Sequence, residues 1–95
     1  MIKVVAKAVY MEEKIDIVKD LFSNLIEETK KEKGCISYDL YQEVNNKAIL
    51  TMIEEWESLE NLDNHSNSEH YTRIIPEIRS YRVSTDINVY EKVSL

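Results

Sequence analysis

Polar and apolar residues change period repeatedly along the chain. Residues 2–10 alternate loosely, with Ile2, Val4, Ala6, Ala8 and Tyr10 set against Lys3, Val5, Lys7 and Val9. That spacing predicts a strand whose two faces are both partly apolar. Over residues 12–31 the period lengthens. Ile15, Val18, Leu21, Phe22, Leu25, Ile26 and Thr29 follow the three-and-four spacing of an amphipathic helix. Glu12 and Glu13 suit its positive N-terminal end, Lys30, Lys31 and Lys33 suit its negative C-terminal end, and Gly34 is placed as the residue just past the cap.

Residues 35–44 and 47–56 return to alternation and predict two strands. Asn45-Asn46 sits between them, a residue type that tolerates the positive φ of a tight hairpin turn. On the second strand Ile49, Thr51, Ile53 and Glu55 fall on one side, and Leu50, Met52, Glu54 and Trp56 on the other. Residues 58–79 read as an interrupted helix. Ser58 is a candidate N-cap, the stretch 64–68 is rich in residues that compete with helical hydrogen bonds, and Ser68 can cap a second segment. Pro76 inside that segment predicts a kink or an early stop. Val83, Thr85, Ile87 and Val89 then mark a last strand over residues 81–91.

The order β-α-β-β-α-β in one short chain predicts an α+β, ferredoxin-like fold with both helices on one face of an antiparallel sheet. The other face has no cover within the chain, yet some of Val5, Val9, Tyr41, Leu50, Met52 and Trp56 are expected there. An apolar open face points to a homodimer, with a ligand pocket between sheet and helices or at the subunit seam.

Composition narrows the picture. The chain has 95 residues, enough for a single domain spanning 1–95. One Gly and one Pro exclude a low-complexity chain. A net charge of −6 without a basic stripe argues against nucleic acid and anionic membranes as partners. No apolar run approaches the roughly 20 residues of a membrane span. The N-terminus carries no cleavage site, and the lone Cys35 can form neither an internal disulfide nor a cysteine-based zinc site, so a cytoplasmic location is expected.

Three segments carry a family resemblance: Gly-Cys followed by an aromatic and an acidic-aromatic run in KEKGCISYDLYQE (31–43), the acidic-aromatic start and later His of EEWESLENLDNH (54–65), and SEHY (68–71). Over roughly residues 2–91 the chain resembles the antibiotic biosynthesis monooxygenases, including the quinol monooxygenase type. The resemblance implies a dimeric α+β barrel. It also implies oxidation of small aromatic phenols or quinols by molecular oxygen with no cofactor, metal or flavin, since a deprotonated substrate supplies the electrons itself. A haem-degrading branch uses an Asn and a His at the positions of Lys7 and Ile75, so both are missing. A branch that isomerises a phosphorylated autoinducer-2 sugar shares the pattern of His65, His70 and Tyr71.

Within that frame His65 is the favoured acid/base and His70 a supporting one, because imidazole titrates near neutral pH. Two histidines alone fall short of the three protein ligands of a stable zinc site, so no metal is expected. Glu54 shares a strand face with Trp56 and can act as a base, hold His65, or pair with a cation at a dimer seam. Trp56, Tyr71 and Tyr41 are the candidate substrate-binding residues, as a stacking surface and as phenolic hydrogen-bond donors. Arg73, Arg79 and Arg82 can meet an anionic group. Cys35 reads as a small buried residue rather than a nucleophile. The runner-up functions are an isomerase acting on a small phosphorylated carbonyl compound and a non-catalytic ligand-binding dimer.

Overall fold

Four strands pair in the order β2-β3-β1-β4, all antiparallel. A computed structural model describes residues 1–95. The strands are β1 (Ile2–Tyr10), β2 (Cys35–Glu43), β3 (Asn46–Trp56) and β4 (Arg82–Glu91). The α-helices are α1 (Ile15–Thr29), α2 (Leu59–Ser66) and α3 (Glu69–Ser80). This is the ferredoxin-like topology, and no helix is long and apolar enough to cross a membrane.

The sheet is open. β2 and β4 are its edges, separated by the two central strands, and they do not pair with each other. The closed barrel implied by the resemblance is therefore not formed. Closure needs edge-to-edge pairing, and about eight strands are required before a barrel encloses a packed interior.

The helices cover the face that carries Ile2, Val4, Ala8 and Tyr10 of β1 together with Leu50, Met52, Glu54 and Trp56 of β3. Val18, Phe22 and Leu25 of α1 and Ile74 and Ile78 of α3 close over them. Leu50, Met52 and Trp56 thus belong to this core, not to the open face where some of them were expected. Strict alternation decides it, because residues opposite Ala8, Ala6 and Ile2 must point the same way as those residues do. Val5, Val9, Ile49 and Ile53 remain on the open face, with Tyr41 beside them on β2.

Local chemistry shifts several boundaries. A single 3-10 turn, Glu12–Lys14, leads into α1. Helix α1 ends at Thr29, so Gly34 does not cap it; Gly34 lies in the following turn at φ +82°. A Cβ there would stand 2.2 Å from Cγ of Asn61, so glycine lets this turn press against α2. The β2–β3 hairpin turns without any positive φ at a non-glycine residue. A bulge near Glu43 takes up the geometry, and Asn46 Oδ1 accepts the Ala48 N–H at 3.0 Å. Pro76 sits inside α3 without ending it, although it has no N–H to give to the preceding turn. Burial of Ile74 and Ile78 on either side carries the helix on to Ser80.

Candidate active site

Ala6 and Ala8 stand at the middle of the helix-facing side of β1, where larger side chains would meet α3. Their small volume leaves a cavity of about 240 Å³ between sheet and helices. Met52, Glu54 and Tyr38 form one wall, with His65 and Leu62 of α2 above them. Tyr71, Ile75 and Arg79 of α3 form another, and Arg82, Thr85, Ile87 and Val89 line the β4 side. The lining is mostly apolar, with the polar groups gathered around His65 and at the two arginines.

The break between α2 and α3 brings the two histidines together. Ser58 caps α2 by accepting the Asn61 N–H at 3.2 Å. Ser68 caps α3 by accepting the Tyr71 N–H at 3.3 Å, while its hydroxyl donates to the His65 carbonyl at 2.7 Å. Ser68 thus ties the end of α2 to the start of α3. His65 and His70 end with ring centroids 6.2 Å apart, although five residues separate them.

Glu32, in the turn between α1 and β2, joins them. Its Oε2 lies 2.7 Å from His65 Nδ1 and 2.7 Å from His70 Nε2. An ionised carboxylate can only accept, so His65 carries its hydrogen on Nδ1 and presents a bare lone pair at Nε2. That Nε2 is buried without a partner, and His65 lines the cavity. The ring is 2% exposed. Tyr38, Trp56 and Tyr71 surround it, with centroids at 5.1, 4.7 and 4.9 Å. Burial among these rings lowers the His65 pKa, against the opposing pull of the Glu32 hydrogen bond. The imidazole is thus neutral near pH 7, the state required of a base.

Glu54 is the second unusual group. It is 7% exposed, lines the cavity and accepts the Trp56 indole N–H at 3.0 Å. Desolvation raises its pKa to about 7, with the indole hydrogen bond working against the rise and the nearby Glu32 charge adding to it. Tyr38 is pushed strongly upward, first by burial and then by the charge of Glu54, so its hydroxyl stays protonated. Burial together with Glu32 raises the Cys35 thiol to about 11, which leaves it protonated and unreactive at neutral pH.

The candidates named from sequence therefore divide. His65, Glu54 and Tyr71 meet around the cavity. His70 stands behind His65, against Glu32. Trp56 is completely buried and touches His65 and Glu54, but it does not line the cavity. Tyr41 lies apart on β2, paired with Thr51 and 54% exposed. Glu32 sits in a lysine-rich run that reads as a helix end; only its place two residues before the one glycine hints that the turn approaches another element.

Comparison with known proteins agrees with this architecture. The chain is similar to a conserved protein from Methanosarcina mazei Go1, at 45% identity and a TM-score of 0.94, over 97% of this chain and 92% of that one. It is also similar to a structure of an antibiotic biosynthesis monooxygenase, at 34% identity and a TM-score of 0.94, over 99% and 100% of the two chains. A protein from Mycobacterium tuberculosis at 24% identity shares the fold, with a TM-score of 0.90 over 99% and 96%. No curated protein matches. The antibiotic biosynthesis monooxygenase family matches residues 1–77, and with that fold and those relatives the chain belongs to this family.

Proposed function

We propose that the chain is a cofactor-independent monooxygenase acting on a small aromatic quinol or phenol. One observation carries this reading: His65 is buried, fixed at Nδ1 by Glu32, and unpartnered at Nε2 in the wall of a largely apolar cavity. A phenol ionises in water only near pH 10. Nε2 takes that proton in a site that excludes water, and the phenolate then delivers one electron to oxygen, leaving a substrate radical and superoxide. Recombination joins O₂ to a ring carbon as a hydroperoxide, protonated by the imidazolium. Loss of the ring hydrogen and cleavage of the O–O bond release water and leave a carbonyl on that carbon. One oxygen atom stays in the product and the other leaves as water. All four electrons come from the substrate, so no external reductant is required. Glu54, with a pKa raised to about 7 and a place in the cavity lining, would relay the second proton.

The direct test is oxygen uptake by the purified chain with a panel of hydroquinones and phenols. Product formed under ¹⁸O₂ should retain a single labelled atom. A folded protein that consumes no oxygen with any of them overturns the reading.

A second reading has its own support. Arg79 and Arg82 both line the cavity, and neither pairs with a carboxylate. Such a pair suits a phosphorylated carbonyl compound, on which His65 would shuttle a proton between adjacent carbons. Deuterium exchange at carbon without oxygen uptake would favour it. A non-catalytic dimer is supported less well, since it would be expected to have a filled pocket and exposed histidines.

A homodimer is the assembly we propose, with a second copy over Val5, Val9, Ile49 and Ile53. Sedimentation should give twice the chain mass, and Ile53→Lys should shift it toward the monomer. The cavity itself lies within one chain and needs no partner to form.

A further inference from the structure

We propose that Glu32, His65 and His70 form a binding site for one late first-row divalent metal ion, with Zn²⁺ as its probe. Three elements converge on a single point here: the turn after α1, the end of α2 and the start of α3. His65 Nδ1, His70 Nε2 and a Glu32 carboxylate oxygen all lie within 4.8 Å of one another. Both nitrogens stand 2.7 Å from the same oxygen, Oε2. Metal–ligand bonds of about 2.1 Å in tetrahedral geometry set ligand atoms roughly 3.4 Å apart. A small widening of this cluster therefore admits an ion.

Charge supports the same site. The Glu32 side chain is 15% exposed, and its only ionic partners are the two histidines. No lysine or arginine offsets its charge, although Lys31 and Lys33 flank it in sequence. A largely buried carboxylate without a fixed cation is costly, and a dication removes that cost. Two imidazoles and one carboxylate select Zn²⁺, Fe²⁺ or Co²⁺ over Mg²⁺ or Ca²⁺, which prefer all-oxygen shells. Glu32 and His70 lie outside the cavity lining and reach solvent, so the ion would enter from behind His65, with water or Ser68 Oγ, 3.2 Å from His70 Nε2, as a further ligand.

One consequence rests on the proposed role of His65 as a base. A neutral imidazole has a single hydrogen. Metal on Nδ1 moves that hydrogen to Nε2, the nitrogen that is otherwise buried without a partner. The metal-loaded form would then lack its base, and metal occupancy would switch the oxygenase off.

The decisive experiment is calorimetric titration of the chelator-treated full chain with Zn²⁺, and with Mg²⁺ as a control. One Zn²⁺ should bind per chain and no Mg²⁺. Glu32→Gln and His70→Ala should each weaken Zn²⁺ binding by on the order of 100-fold or more. Co²⁺ provides a second readout that does not depend on variants: the visible bands of a low-symmetry nitrogen–oxygen site should appear, and Zn²⁺ should bleach them. Absence of Zn²⁺ binding to the wild-type chain overturns the proposal, as does equal affinity in folded Glu32→Gln and His70→Ala. Zn²⁺ binding is read without any substrate, so a chain that binds the ion but never consumes oxygen retains the site and loses only the oxygenase reading.

Discussion

The two ends of the cavity are built by opposite means. At the α2 end the polar groups are fixed in place around one free lone pair: Glu32 grips both histidines, the Trp56 indole grips Glu54, and Tyr38 and Tyr71 wall in the His65 ring, whose Nε2 alone has no partner there. At the β4 end little is covered. Thr85, Ile87 and Val89 point toward the helical side, yet Ile87 and Val89 remain 52% and 53% exposed because no helix reaches over the edge strand. The closed end has the dryness and rigidity that proton transfer requires. The open end supplies access and, through Arg79 and Arg82, charge. On the proposed reading, the same cavity separates the base, His65, from the arginines that would select what enters.

The largest expected effect tests the closed end. His65→Gln keeps a polar side chain of similar reach but removes the base. Turnover should fall by about 10²–10⁴, the usual worth of general base catalysis. Substrate affinity should change little, because the open end is untouched. A rate within a few-fold of wild type, in a folded protein, would remove His65 from the chemistry and break the contrast between the two ends.

How much of this contrast was legible in the sequence depended on range. The helix and strand periods located nearly every element, because alternation and three-four spacing report directly on which face is buried. The interruption at residues 64–68 was legible for the same local reason, since the Asn and Ser side chains there compete for helical hydrogen bonds. Pro76 misled, because the apolar stripe of α3 outweighs one missing hydrogen bond. Glu32 was invisible: its partners are 33 and 38 positions away, and only the fold brings the turn to α2. The cavity was also hidden, since Ala6 and Ala8 look like ordinary strand residues until α3 fails to fill the space above them. Trp56 and Tyr41 show the remaining limit. Alternation assigns each to a face, but it does not say which side chains on a face reach the cavity.

The next effect is on stability, and it sharpens the picture of the closed end as a place that holds charge at a cost. Glu54 ionises near 7 in the folded chain, against about 4.5 when exposed. Between those values the unfolded chain has released the proton and the folded chain keeps it. Stability therefore falls as pH rises from about 4.5 to about 7, then levels off. His65, with a lowered pKa, acts in the opposite sense, because acid favours the unfolded form below the ordinary histidine value. Glu54→Gln retains an acceptor for the indole and removes the charge. Relative to wild type it should gain on the order of 2–3 kcal/mol on going from pH 5 to pH 8 in urea unfolding. Fluorescence of Trp56, the single tryptophan, should titrate with a midpoint near 7 in wild type and lose that step in the variant. A pH-independent difference between the two proteins would show that Glu54 is already ionised and that the closed end is wetter than its geometry indicates.

The smallest effect belongs to the open end. The Arg79 guanidinium reaches only the Tyr71 hydroxyl, at 3.5 Å, and burial raises the Tyr10 phenol pKa while the nearby Arg82 charge works against that rise. Both arginines are partly in solvent, so each contributes screened attraction rather than a buried ion pair. Arg79→Ala and Arg82→Ala should each raise KM by several-fold for an aromatic substrate carrying a carboxylate or phosphate, as expected for about 1 kcal/mol of partly exposed attraction. The change for a neutral quinol of the same size should be smaller, and added salt should shrink the difference between the two substrates. Turnover should respond less than KM, the reverse of the His65→Gln pattern. If charged and neutral substrates lose equally, the arginines shape the entrance by bulk alone, and selection by charge no longer separates the open end from the closed one.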